Sequence, residues 1–168
     1  MESVGEGCVK IIVNDASTNE HHLEMLTKYR NNFEVVDFEE NKGNPSGKNV
    51  AIKYMYDQGC EYMFLIDDDI QLLPGFAKHY IKAIDKTGFS HFCFLPKYHG
   101  GKEKKIKGVK IKKSIGVAGV LLTLTRKSVE KIGYFNILPY KYGHSHTLYT
   151  LRNIKAGFSQ RFIDVAGS

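Results

Sequence analysis

The sequence predicts an α/β fold around a mostly parallel sheet, and two observations carry that expectation. Short apolar runs alternate with helical patterns along nearly the whole chain. One of those runs, Glu61 to Ile66 (EYMFLI), is almost continuously apolar, as a strand covered on both faces must be. It leads straight into Asp67, Asp68 and Asp69. At 168 residues, with no repeat and no linker, residues 1–168 read as a single domain.

The elements follow in order. Val9 to Asn14 (VKIIVN) reads as a short strand, and Ser17, Thr18 and Asn19 beyond it are helix-start residues. Glu20 to Arg30 reads as a helix, and Phe33 to Phe38 (FEVVDF) alternates as a strand does. A turn at Asn41 to Pro45 precedes a helix with Ser46 placed to cap it, carrying Val50, Ile52, Tyr54 and Met55 to about Asp57 before Gly59. After the Glu61 to Ile66 strand, Pro74 fits the first turn of a helix running to about Lys86. Ser90 to Leu95 (SHFCFL) is expected as a strand, and so is Val117 to Thr125 (VAGVLLTLT). Arg126 to Ile132 reads as a short helix stopped by Gly133, and Thr147 to Ala156 as a last helix stopped by Gly157.

Composition narrows the function. No apolar run reaches the ~20 residues of a membrane span, and no signal peptide opens the chain. Cys8, Cys60 and Cys93 are scattered and odd in number, which points to reduced thiols in the cytoplasm rather than to a disulfide framework or a zinc site. The formal charge is +6, and residues 102–113 (KEKKIKGVKIKK), with seven lysines and one glutamate, account for all of it. A nucleic-acid binder would spread its basic residues and interleave aromatics, so no nucleic acid is expected as partner. The strip reads as a mobile lysine-rich loop leading into a half-buried strand at Val109 and Ile111. It is either a solvated charge run or an attractor of an anionic ligand or surface, such as a membrane periphery.

Three consecutive carboxylates at the end of a buried strand are the sharpest chemical feature. Ligands of open α/β sheets sit at the carboxyl ends of strands, and packed like charges repel unless a cation offsets them. In extended backbone Asp67 and Asp69 project to one face and Asp68 to the other, so Asp67-x-Asp69 suits a divalent ion and a diphosphate. An acidic turn that merely ends a strand is the competing reading. Asn14-Asp15-Ala16-Ser17 also sits at a strand end, and Lys48 follows Gly43 and Gly47 at a helix start. Taken singly, those two read equally well as a cap and a turn.

Taken together, IIVNDAST, NKGNPSGKNVAI, EYMFLIDDDIQLLPGF and GVLLTLTRKSVEKIGYFN resemble, in order, the motifs of family-2 GT-A glycosyltransferases. Those motifs are a strand ending in VDDGS, an N-x-G…A-x-N stretch, an LDxDD-type metal motif before a proline helix, and a strand and short helix ending in G-x-F. The resemblance covers about Val9 to Phe158. It implies a Rossmann-like three-layer sandwich, a UDP-sugar donor, a glycan or other hydroxyl acceptor, Mn2+ or Mg2+, and inversion at the anomeric carbon. It implies nucleotide contacts from Asp15, Lys48, Asp67 and Asp68, with Asp15 on uracil. It implies metal contacts from Asp69, Asp67 and His146.

The chain departs from the family pattern twice. The family places a strand and helix before the VDDGS strand, interior to the sheet, whereas only Met1 to Gly7 precede it here. Either the chain is N-terminally shortened, or another subunit fills the gap, as copies pairing as a homo-oligomer through the exposed sheet edge would, or the sheet closes differently. The family also places Glu-Asp or Glu-His before its last helix, and this chain has Tyr142-Gly143-His144-Ser145-His146. Ser145 stands at the general-base position, where a hydroxyl needs its own activator. His146 matches the histidine of the Glu-His form and suits a base or a metal ligand, since an unperturbed imidazole titrates near ~6.5. Two exposed loop histidines are the plainer reading, and a nucleotide-sugar-binding remnant without catalysis is the alternative function. A phosphoryl-transfer receiver domain fits poorly, because it needs a carboxylate pair on the first strand. In the glycosyltransferase reading, the lysines of 102–113 would form a lid over the donor diphosphate.

Overall fold

The computed structural model describes residues 7–95, 101–116, 119–139 and 143–166. Strands β1 (Ile11–Asn14) and β2 (Glu34–Asp37) pair in parallel, joined by α1 (Glu20–Tyr29). Asn19 caps α1 as its residue type predicts, its side-chain oxygen accepting from the His22 amide at 3.2 Å. Helix α2 (Asn44–Asp57) packs on β1 and also on β3 (Tyr62–Ile66).

β3 pairs antiparallel with β6 (Leu121–Thr125), and this ribbon is the centre of the molecule. On one face Met63, Leu65, Leu122 and Leu124 pack with Ile52 and Met55 of α2, with Val129 of α4 (Arg126–Ile132), and with Tyr149 of α5 (Ser145–Lys155). On the other face Leu121, Tyr62 and Phe64 join Tyr80, Ala83 and Ile84 of α3 (Phe76–Thr87). Ile111, Ile163 and Val165 complete that second cluster. They come from a three-stranded antiparallel sheet in the order β4 (Lys102–Ile106), β5 (Val109–Ser114), β7 (Phe162–Val165). The layers are therefore helices, ribbon, then α3 with the small sheet.

The α/β class holds, but the expected mostly parallel sheet does not. Among the described residues only β1 and β2 pair in parallel; β3–β6, β4–β5 and β5–β7 are antiparallel. An apolar run such as EYMFLI reports that both faces are covered and says nothing of strand direction. Ser90 to Leu95 is not a ladder strand: it makes a single bridge, Cys93 to Leu122. Its amides are satisfied instead by Phe158 O, Thr123 Oγ1, Ile163 O, Leu121 O and the Asp164 carboxylate. α2 begins at Asn44 with Gly43 (φ 83) as its cap residue and Pro45 in the first turn, while the Ser46 hydroxyl donates back to Lys42 O. α3 likewise starts after Pro74, with Gly75 at its N-cap. Val117, the expected start of the strand before Arg126, lies outside the described residues.

The lysine strip is a hairpin rather than a mobile loop. Lys107 and Gly108 both have positive φ (46 and 83), the conformation of a two-residue turn whose twist suits antiparallel strands. Lys107 Nζ then donates to Thr87 O at the C-terminal end of α3, 3.2 Å away. α3 has 12 residues, so that point lies roughly 18 Å along the helix from the end nearer the aspartates. The hairpin tip is therefore pinned away from the aspartate cluster, and a lid closing from it does not follow from this geometry.

Among the described residues no backbone hydrogen bond joins β1 to β3. The carbonyls of Lys10 and Asn14 face β2, so by the parallel ladder the amides of Ile11 and Val13 point to the opposite edge. In β3 the pairs Glu61 with Arg126 and Asp67 with Val120 face β6, which leaves Tyr62, Phe64 and Ile66 on the opposite edge. The sheet of the α/β core is thus split, and α2 spans the two halves.

Candidate active site

The aspartate cluster follows β3 directly, where the last ladder bond runs from Asp67 N–H to Val120 O at 2.8 Å. Lys48, in the first turns of α2, reaches the same point. Its Nζ is 3.1 Å from Asp67 Oδ1 and donates to Gly119 O at 3.0 Å. The Lys48 side chain is 9% exposed and the Asp67 side chain 27%. A lysine buried to that degree requires an anionic partner, and Asp67 supplies it. Asp68 and Asp69 are exposed.

Gly119 links this pair to the last motif. A Cβ at Gly119 would lie 2.8 Å from both Cγ and Nδ1 of His146 and 3.1 Å from its Cβ. The His146 ring therefore rests on the bare backbone whose carbonyl holds Lys48. The segments around 48, 67, 119 and 146 converge, and the order of motifs along the chain gives no direct sign of this. Ser145 is buried as the first residue of α5, and His144 precedes it exposed with φ 53. Tyr142 lies outside the described residues.

Asp15 occupies the neighbouring strand end. Its Oδ1 accepts from the Lys42 amide at 2.6 Å and its Oδ2 from the Gly43 amide at 2.9 Å. The carboxylate thus closes the turn leading into α2 and joins the first two motif stretches. Asn14 fixes the same edge: its amide nitrogen donates to Asp37 Oδ1 at 2.9 Å and its oxygen accepts from the Ser17 amide at 3.0 Å. Hydrogen bonds from Arg30 and Asn14 hold the Asp37 carboxyl below its usual range.

Among the described residues, no three His, Cys, Asp or Glu side chains converge as a wholly protein-built metal cage would require. The donor set still fits Mg2+ or Mn2+, which characteristically take one or two carboxylates and complete their shell with phosphate and water oxygens. Asp69 is open to solvent, and Asp67 offers Oδ1 alone to Lys48.

Three polar groups without a sequence-assigned role turn out to be structural. Asn49 makes a two-way bond with the Phe135 backbone, donating to O at 2.9 Å and accepting from N at 2.7 Å. Arg152 of α5 donates to Tyr134 O at 2.7 Å, to Asn136 Oδ1 at 3.0 Å and to Ile132 O. Tyr149 stacks on Phe135, with ring centroids 4.0 Å apart, and donates to Gly133 O. Together they lock the GYFN turn behind the site. Beneath it, buried His91 donates from Nδ1 to Thr123 O and accepts at Nε2 from Thr150 Oγ1, both at 2.9 Å. A carbonyl can only accept, which fixes the neutral tautomer. Burial lowers the His91 pKa to about 4 and raises that of the adjacent Cys93 thiol to about 12, so neither is poised for chemistry near neutral pH.

The sequence and the fold match known proteins. The family model described as Glycosyl transferase family 2 matches residues 10–152, and the chain belongs to that family. An uncharacterized glycosyltransferase of Acanthamoeba polyphaga mimivirus is 32% identical over 164 residues, covering 94% of this chain and 64% of the relative. The chain thus spans somewhat under two thirds of that relative's length. The crystal structure of S. aureus TarS 1–349 superimposes with a TM-score of 0.59 at 19% identity, covering 85% of this chain and 44% of TarS. That likeness is one of fold.

Proposed function

We propose that the chain binds a nucleoside-diphosphate sugar, with UDP as the nucleotide, and transfers the sugar to an acceptor hydroxyl with inversion. The observation that supports this reading best is the convergence of Lys48, Asp67, Gly119 and His146, which brings four separate motif stretches to one point at a strand end. Asp15 faces the base: two amide bonds leave its oxygens further lone pairs for an imide N–H. Asp68 contacts the ribose side. Lys48 offsets negative charge where the diphosphate lies. Asp67 and Asp69 would hold Mn2+ or Mg2+, with His146 at its margin, and a bound divalent ion supplies Lewis-acid stabilisation of the leaving diphosphate. His146 accepts the proton of the acceptor hydroxyl as that oxygen attacks the anomeric carbon. The bond from that carbon to the diphosphate oxygen breaks, and its electron pair leaves with UDP. Ser145, buried at the helix start, keeps His146 in register without taking a proton. The open edges of β1 and β3 are where a second copy would pair.

The test is Asp69→Asn, assayed for release of UDP from UDP-glucose and UDP-N-acetylglucosamine with Mn2+. Turnover is expected to fall about 10²-fold or more, the scale of losing one electrostatic partner of the transition state. Undiminished turnover would refute the role of Asp69. UDP binding by calorimetry without turnover in the unmutated chain would refute transfer itself.

A further inference from the structure

The charge of the molecule sits on one ribbon. Residues 102–113 carry the whole formal +6, and the structure folds them into the β4–β5 hairpin. The register sets Lys102 opposite Lys113 and Lys105 opposite Lys110. Like charges directly across a ladder destabilise it, and within the ribbon Glu103, opposite Lys112, is the one residue of opposite charge to offset them. Three lysines of the ribbon have internal acceptors: Lys107 on Thr87 O, Lys112 on Leu95 O and Lys113 on Gln160 Oε1. Lys102, Lys104, Lys105 and Lys110 are exposed, and none of their ammonium groups has an ion pair or hydrogen bond among the described residues. β4 is also the outer strand of its sheet. Just past β5, beside the Lys102–Lys113 end, Ile115 is 91% exposed.

Along β4, Lys102 and Lys104 project to one face of the ladder and Lys105, opposite Lys110, to the other, so the outer strand presents both sets at its free edge. We propose that this edge of the hairpin docks the protein on an anionic phospholipid surface. Charge complementarity calls for a polyanion, and the composition selects which one. The ribbon contains no arginine to fork onto phosphates or guanines and no aromatic to stack on bases, which disfavours nucleic acid. Clustered lysines beside an exposed aliphatic residue suit a lipid headgroup layer, where each lysine adds attraction and the apolar side chain enters the interface. No helix among the described residues is long and apolar enough to cross a membrane, so the contact is peripheral. With the hairpin tip tied to the far end of α3, docking by this edge leaves the aspartate cluster open.

The experiment is co-sedimentation of the full chain with phosphatidylcholine vesicles containing 30% phosphatidylserine, against pure phosphatidylcholine. Binding is expected only to the anionic vesicles, falling at least tenfold between about 50 and 500 mM salt as screening sets in. The quadruple variant K102Q/K104Q/K105Q/K110Q should lose at least tenfold in apparent affinity, whereas K127Q/K131Q on α4 should not. Ile115→Ser should weaken what binding survives high salt. Equal binding to neutral vesicles, or equal losses in both lysine variants, would overturn the proposal. So would tighter salt-matched binding to a single-stranded oligonucleotide. None of these readouts depends on sugar transfer.

Discussion

The Cα of Gly119 faces the His146 ring at a distance that leaves no room for a methyl group. Gly119→Ala must push that imidazole aside while the Gly119 carbonyl keeps its bond to Lys48. Turnover of a UDP-sugar is then expected to fall about 10²-fold, as displacements of ~1 Å do, with UDP affinity nearly unchanged. A parallel loss of UDP affinity in calorimetry, or unchanged turnover, would show that the contact is only packing. His91 gives a second prediction. Its folded pKa of about 4 lies below the ordinary value near 6.5, so the unfolded chain binds a proton first as pH falls. The neutral-His91 contribution is complete above pH 6.5 and is lost between there and pH 4, on the order of 3 kcal/mol in all. Urea unfolding at pH 7 and pH 5 should show this slope in the wild type and a flatter one in His91→Gln. At this scale the place of the aspartates at a strand end was legible in the sequence, because the apolar run before them marks the strand. The Lys48–Asp67 pair and the Gly119–His146 contact were not, because each joins residues that only the tertiary fold brings together.

Helices α4 and α5 hold the GYFN turn through polar side chains as well as through the buried stack of Phe135 on Tyr149. Arg152 serves three acceptors at once, and its guanidinium lies over the Tyr149 ring, 5.6 Å from its centroid. Arg152→Met is therefore expected to cost about 2 kcal/mol in urea unfolding, the range of a charged hydrogen-bond donor. Arg152→Lys should recover little, since an ammonium cannot span the same fork of acceptors. A silent Arg152→Met would mean that the turn is held by Asn49 and the Phe135–Tyr149 stack alone. Helix patterns survived translation from sequence to structure, with ends shifted by a few residues. Strand patterns survived less well. β4 has one apolar residue in five and looked like a solvated charge run, and β7 is short and buried against residues far away in the chain. SHFCFL has the composition of a strand, yet its amides are divided among the Phe158, Ile163 and Leu121 carbonyls and two side chains rather than running along one partner strand.

Over the whole molecule, periodicity revealed the α/β class and the covered central ribbon, but not which strands would pair or in which direction. That choice depends on contacts between distant segments, which local pattern does not encode. The split between β1 and β3 has a consequence for motion. The unit from Ile11 to Asp37 has no buried residue in α1 and only Asn14 buried in its strands. It should therefore open as a subglobal unit of its own, with amide deuterium uptake at least tenfold faster than in the β3–β6 ribbon. Uniform protection across both halves would contradict this. Asp15 rides on the loose half and Asp67 on the firm one. A nucleotide grasped by both would act as a clasp, slowing deuterium uptake across residues 11–37 in proportion to its occupancy.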